Sequence, residues 1–280
     1  MSQRQKTFEY LVFTDLDGTL LDHHSYSFAP AVTTLRLLAE QQVPVIPVTS
    51  KTRAELLPLR AQLQNEHPFI TENGAAVFIP QNYFPLCPQG CETVGAFWVK
   101  PFSRSVAIWQ PLLQRLKAEF KDEFVLLSEL SVEELARLTG LSADQARLAR
   151  QREYSEPVHW LGSAERRSHF LAVLAAEGIK PLQGGRFLHL VDQCDKGQAL
   201  QWLTRCYQNY QPRHPLLTVA AGDSQNDIAM LQVADRALLV RSPAHAPPEL
   251  SSNTRFILSE HCGPKGWAAG IRQLLALPTD

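Results

Sequence analysis

No apolar run in this chain approaches the roughly twenty residues that a membrane-spanning helix needs, which sets aside a membrane pump or transporter. Charge of one sign is equally scarce. Twenty-seven basic residues against 28 acidic ones leave a formal net charge of −1, and nothing in that balance recommends nucleic acid or an anionic membrane as a partner. Cysteine is sparse and scattered, at Cys87, Cys91, Cys194, Cys206 and Cys262, and an odd, irregular set does not make a disulfide framework. Cys87 and Cys91 would supply half a zinc site, but no second Cys or His pair at ligand spacing completes it. The first residues lack a secretory-leader pattern, so a cytoplasmic location with reduced thiols is expected. Repeats and low-complexity tracts are missing too. What remains is an ordinary globular composition in 280 residues, enough for two domains or for one with an insertion. Oligomeric state has no signature in it.

Against that plain background one stretch stands out, Asp15-Leu16-Asp17-Gly18-Thr19. It follows the apolar run Tyr10-Leu11-Val12-Phe13, which reads as a buried strand. Two carboxylates one residue apart repel each other and resist desolvation unless a cation or proton lies between them. A surface turn is the plain alternative. The flanking pattern decides between them. Val43–Val48, Phe69–Thr71 and Ala75–Ile79 read as strands interleaved with helices carrying Leu35 and Leu38, then Leu56, Leu59 and Leu63, with Pro58 expected to kink the second. The rhythm breaks after Pro80 and resumes with a helix after Lys196, the strand Leu216–Ala221, two short strands and a closing helix near Trp267. The fold class is therefore α/β, a doubly wound parallel sheet with an inserted α+β unit. The expected division is 1–85 and 191–280 for the core and 86–190 for the insertion.

Four separated segments place polar residues at a strand end or helix start: Asp15 and Asp17, Thr49 and Ser50, Lys196, and Asp223 and Asp227. Singly, each has a structural reading. Asp223 would cap a helix, Asp227 would face a helix dipole, Lys196 would be solvated, and Thr49 or Ser50 would be a cap. In a doubly wound sheet, however, the strand ends share one crevice. Four acids, a hydroxyl and a lysine meeting there describe a site for Mg²⁺ and a phosphate group.

The set D-x-D-G-T, strand-Thr, Lys and G-D-x-x-x-D, in this order, resembles the haloacid dehalogenase superfamily of phosphohydrolases. Within it, the segments 15–26, Val48-Thr49-Ser50-Lys51-Thr52 and Pro68 to Ala76 resemble the mannosyl-3-phosphoglycerate phosphatases, as do Arg152 to Pro157 and Gly184-Gly185-Arg186-Phe187. The resemblance implies that Asp15 is the nucleophile forming an aspartyl-phosphate and that Asp17 is the acid and base. It also implies that Thr49 and Lys196 hold the phosphoryl oxygens. Asp15, Asp223 and the backbone carbonyl of Asp17 would hold Mg²⁺, with Asp227 ligating it or orienting a ligand. Ser50, Lys51, Glu156, Gln183, Gly184 and Arg186 would contact the substrate, a small phosphorylated sugar-glycerate. The implied reaction converts mannosyl-3-phosphoglycerate to mannosylglycerate. The alternatives are a sugar phosphatase of broader specificity, a phosphomutase, and a non-catalytic phosphosugar sensor.

Overall fold

In the structure, a computed structural model, residues 9–179, 181–184, 187–212, 215–251 and 255–278 are described. The central element is a five-stranded, all-parallel sheet. The first strand, β1 (Tyr10–Thr14), is followed by α1 (Val32–Glu40), β2 (Val45–Pro47) and α2 (Arg53–Gln62). The chain then forms β3 (Phe69–Thr71) and β4 (Ala76–Pro80), and further on β5 (Glu92–Val94) and β6 (Phe97–Pro101). Next come α3 (Gln110–Phe120), β7 (Phe124–Leu126), α4 (Val132–Thr139), α5 (Ala143–Ala149), β8 (Glu156–Trp160) and α6 (Ala164–Ala176). The remaining elements are β9 (Leu182–Gly184), β10 (Phe187–Leu190), α7 (Lys196–Tyr210), β11 (Leu217–Gly222), α8 (Ile228–Val233), β12 (Arg236–Arg241), β13 (Phe256–Cys262) and α9 (Gly263–Leu275).

The central strand order is β13-β12-β11-β1-β2. From β1 the chain moves outward one way to β2, and later the other way through β11, β12 and β13. The order therefore reverses at β1, and that is where such sheets open a ligand crevice. Both faces of β1 are buried, as parallel sheets require. Leu11 and Phe13 pack under α7 and α8 with Leu200, Leu203 and Leu231, while Val12 joins Leu38, Trp267 and Ile271 of α1 and α9 on the other face.

Helix α2 is continuous through Pro58, under a capping box formed by Thr52 and Glu55. One expectation from sequence changes here. The strand Phe69–Thr71 does not extend the parallel set in full. It meets β2 through an isolated bridge between Val48 and Ile70, and pairs antiparallel with β4 in a second sheet ordered β3-β4-β6-β5. In the same sheet β5 and β6 form a hairpin, with Val94 opposite Phe97.

A third, antiparallel sheet, β7-β8-β10-β9, is covered by α3 and α6 through Leu113, Leu116, Phe120, Phe170 and Leu174. The helix pair α4 and α5 packs beside it, each helix opened by the capping box its sequence predicts, Ser131 with Glu134 and Ser142 with Gln145. The two chain crossings into this unit are stapled together. Arg104 donates from its guanidinium and its backbone N–H to the Asp192 carboxylate, at 2.7 Å in each case.

Candidate active site

The carboxyl ends of β1, β2 and β11 lie side by side. Asp15 N–H donates to Ala221 C=O at 2.8 Å, Val48 N–H to Thr14 C=O at 2.8 Å, and Thr49 N–H to Ile70 C=O at 3.0 Å. Asp15, Thr49 and Asp223 therefore leave adjacent strands at one level. Lys196 enters from above as the first residue of α7, whose amino end is capped by Asp195 accepting Gln198 N–H at 2.8 Å. Its ammonium is fully buried and donates to Asp15 Oδ1 and Asp227 Oδ1, each at 2.6 Å. The approach of Asp227 depends on Gly222, where an added Cβ would lie 2.5 Å from the Asp227 carboxyl carbon.

Oxygens of Asp15, Asp223 and Asp227 all lie within 4.8 Å of one another. Three buried carboxylates against one ammonium are not a neutral set. Burial raises Asp15 well above the ordinary carboxylate range, and Asp227, Asp223 and Asp17 add to this while Lys196 opposes it. Burial and Asp227 push Asp223 up to about 6, against the pull of His245 and Lys196. Burial alone would lower Lys196, but Asp15 and Asp227 outweigh it and keep it protonated. A hard divalent cation among these oxygens would relieve the repulsion, so the residues fit Mg²⁺.

Asp227 is the most committed acid. One oxygen takes Lys196, and the other accepts the N–H groups of Asp223 and Ser224 at 3.0 Å each. Asp17 stands apart from the trio. Its Oδ2 pairs with Lys51 Nζ at 2.9 Å, and its Oδ1 is buried without a partner. Lys51 is thereby placed on Asp17 itself. Thr49 is fully buried, and its hydroxyl accepts Lys51 N–H at 3.1 Å. Ser50 offers its carbonyl to Arg152 Nη1 at 2.8 Å, tying the insertion to this loop.

Glu156 is buried on β8 and accepts Ser128 N–H at 3.1 Å. Burial raises its carboxyl despite Ser128 and Arg152. Gln183 and Gly184 lie on β9 opposite Leu188 and Phe187, and Arg186 falls outside the described residues. Sequence reasoning missed Thr19, whose hydroxyl donates to Asp223 Oδ1 at 3.3 Å, and His245, whose Nε2 lies 3.3 Å from Asp223 Oδ2. Thr19 was visible inside the acidic motif, but His245 lies in a proline-rich loop with no pattern to flag it. Asn226 Nδ2 also donates to Asn73 Oδ1, at 2.9 Å.

A doubly wound sheet whose switch point gathers three carboxylates and a buried lysine, with an α+β unit inserted in the chain, defines a phosphatase of the haloacid dehalogenase class. Residues 12–85 match the family model described as haloacid dehalogenase-like hydrolase, and residues 179–273 match that of sucrose-6F-phosphate phosphohydrolase. Curated relatives from Methanococcoides burtonii and Persephonella marina are 34% and 36% identical over 267 residues, spanning 95% of this chain and 97% of each relative. Both are named glucosyl-3-phosphoglycerate/mannosyl-3-phosphoglycerate phosphatase. The chain belongs to this phosphatase family. The same fold recurs in protein 0175 of Thermoplasma acidophilum, with a TM-score of 0.69 at 18% identity, covering 97% of this chain and 100% of that one. It recurs also in the sucrose-phosphatase of Synechocystis sp. PCC6803, with a TM-score of 0.59 at 16% identity, covering 96% and 97%. Among the described residues no helix is long and apolar enough to cross a membrane.

Proposed function

We propose that this chain hydrolyses the phosphomonoester of mannosyl-3-phosphoglycerate, releasing mannosylglycerate and phosphate, with Asp15 as nucleophile. The observation that carries the reading is the buried Lys196 ammonium, which holds Asp15 and Asp227 at 2.6 Å beside Asp223. A carboxylate oxygen of Asp15 attacks phosphorus, and the bond to the glycerate oxygen breaks. Asp17 gives that oxygen its proton. The unpartnered Oδ1 supports this role, because Oδ2 is held by Lys51. Asp17 then takes a proton from the water that attacks the aspartyl-phosphate, and phosphate departs with Asp15 restored. Thr49 and Lys196 steady the phosphoryl oxygens throughout.

Asp15, Asp223 and the Asp17 carbonyl would hold Mg²⁺, which when bound supplies neutralising charge for phosphate among these acids. The saturated hydrogen bonding of Asp227 supports an orienting role for it rather than direct ligation. The α+β insertion, which we take as a cap, would supply contacts that choose the sugar-glycerate, with Glu156, Gln183, Gly184 and Arg186 as its candidates, and the core loop would add Ser50 and Lys51. Free thiols at Cys87, Cys91, Cys194, Cys206 and Cys262 suit the reducing cytoplasm in which we place the enzyme.

The relatives' names favour a second substrate beside the first, glucosyl-3-phosphoglycerate. A panel with magnesium tests both, against glucose 6-phosphate and p-nitrophenyl phosphate. The two glycosyl-3-phosphoglycerates should show the highest kcat/KM. Equal turnover across the panel would leave a general sugar phosphatase and sink the specific assignment.

A further inference from the structure

The segment Glu72-Asn73-Gly74 joins β3 to β4 through three consecutive left-handed residues, with φ of +48°, +62° and +98°. Glycine takes such a backbone without cost, but Glu and Asn do not, and strain of this kind persists only where the surroundings enforce it. The backbone contacts show what is gained. Glu72 N–H donates to Lys51 C=O at 3.1 Å and Asn73 N–H to Thr49 C=O at 2.9 Å, so the bend carries the loop of Thr49 and Lys51. Asn73 Oδ1 accepts from Asn226, in the loop between Asp223 and Asp227. Gly74 lies so close to α7 that an added Cβ would fall 2.2 Å from Asp195 O.

The Glu72 side chain goes the other way, into the insertion. Its carboxylate is buried, at 1% exposure. Oε1 accepts Glu153 N–H at 2.9 Å. Oε2 accepts Tyr154 N–H at 3.3 Å, Ser155 N–H at 2.8 Å and the Ser155 hydroxyl at 2.6 Å. A buried carboxylate given four donors from one short loop is an anchor for that loop. The loop lies between Arg152, which reaches Ser50 C=O, and Glu156 on β8. Glu153 is itself held by Arg53 in a two-bond pair at 2.8 and 3.1 Å, and Thr52 Oγ1 donates to Leu148 C=O at 3.1 Å.

We propose that Glu72 is a positioning residue, the latch through which the core holds the 152–156 segment of the cap in register over the site, and that it thereby sets the grip on the part of the substrate beyond the phosphate. The proposal rests on the phosphatase reading above for its substrate, but the latch itself is a property of the chain. Glu72→Gln separates it from a general structural role. The amide keeps the volume but turns an NH₂ toward donors that need an acceptor.

In hydrogen–deuterium exchange on the full-length chain, peptides covering residues 153–155 should exchange at least tenfold faster in the variant, while peptides from β11 keep the wild-type rate. In kinetics, KM for the best phosphosugar of the panel should rise at least tenfold, with turnover of p-nitrophenyl phosphate within twofold of wild type. Unchanged exchange at residues 153–155, or an equal loss on both substrates, would overturn the latch. Faster exchange with an unmoved KM would overturn its role in substrate grip. A panel without preference for glycosyl-3-phosphoglycerates would instead sink the substrate reading and leave the exchange result standing. If Glu72→Gln does not fold, Ser155→Ala, which removes one of the four donors, should move exchange and KM in the same direction by two- to threefold, and no movement would refute the proposal.

Discussion

Replacing Lys196 with methionine tests the electrostatic design of the site. The wild-type ammonium has no solvent exposure and sits 2.6 Å from two carboxylates. At an effective dielectric constant of about 20, a unit pair at that distance attracts by about 6 kcal/mol before desolvation is counted. Desolvating all three groups consumes much of this, and removing one partner of a buried charge cluster costs about 3–5 kcal/mol in net stability. Lys196→Met should lose that amount in urea unfolding with a chelator present, and turnover should fall by about 10²–10³-fold or more. Magnesium should then recover more stability in the variant than in the wild type, because the acids of the cluster have lost their protein counter-charge while the cation can still bind them. A loss under about 1 kcal/mol in chelator would mean that Lys196 does not hold Asp15 and Asp227 together. Turnover within tenfold of wild type would remove Lys196 from the chemistry.

Two further outcomes follow from the same structure. Burial, with Arg152 adding to it, pushes the His189 imidazole down to about 3, and its Nδ1 is buried without a partner. The unfolded chain protonates this histidine near 6.5, so stability present above that value is lost progressively as pH falls toward 3. That share is about 2 kcal/mol at pH 5. Urea unfolding of His189→Gln should lose about 2 kcal/mol less than wild type between pH 8 and pH 5, and parallel pH profiles would refute the assignment. Asp15→Asn should fold, since Lys196 keeps Asp227, yet should neither turn over substrate nor retain ³²P from labelled substrate after acid quench. Residual wild-type turnover in it would refute the covalent route.

Within the central sheet β1, β2 and β11 were legible because they are buried on both faces and read as apolar runs, each ending in a polar cluster. Leu216–Ala221 before Gly222-Asp223 is the clearest case, and β11 occupies Leu217–Gly222. The capping boxes of α4 and α5 were legible for a local reason, since both partners lie within four residues. The order of β3 and β4 was not. Phe69–Thr71 has the composition of a parallel core strand, and its antiparallel pairing is fixed by contacts with β4 and, through β4, with β6, more than twenty residues away in the chain. Thr49 was found because a hydroxyl at a strand end stands out. His245 was invisible because only the fold carries its loop back to Asp223.

Glu72 shows where reading by local pattern stops. Asn73-Gly74 signals a tight turn, and a turn is formed there, so the local rule succeeded on its own terms. It gave no reason for a glutamate in front of the pair, because a hairpin turn has no need of a buried charge. The reason lies some eighty residues further on, in the N–H groups of Glu153, Tyr154 and Ser155. Those amides come from a loop, so no strand or helix satisfies them, and a carboxylate from the core does so instead. The strained backbone at Glu72 and Asn73 follows from the same demand, since one short bend must face the Thr49 loop, the Asp223 loop and the insertion together. Local turn propensity made the bend possible. The distant amides explain the glutamate.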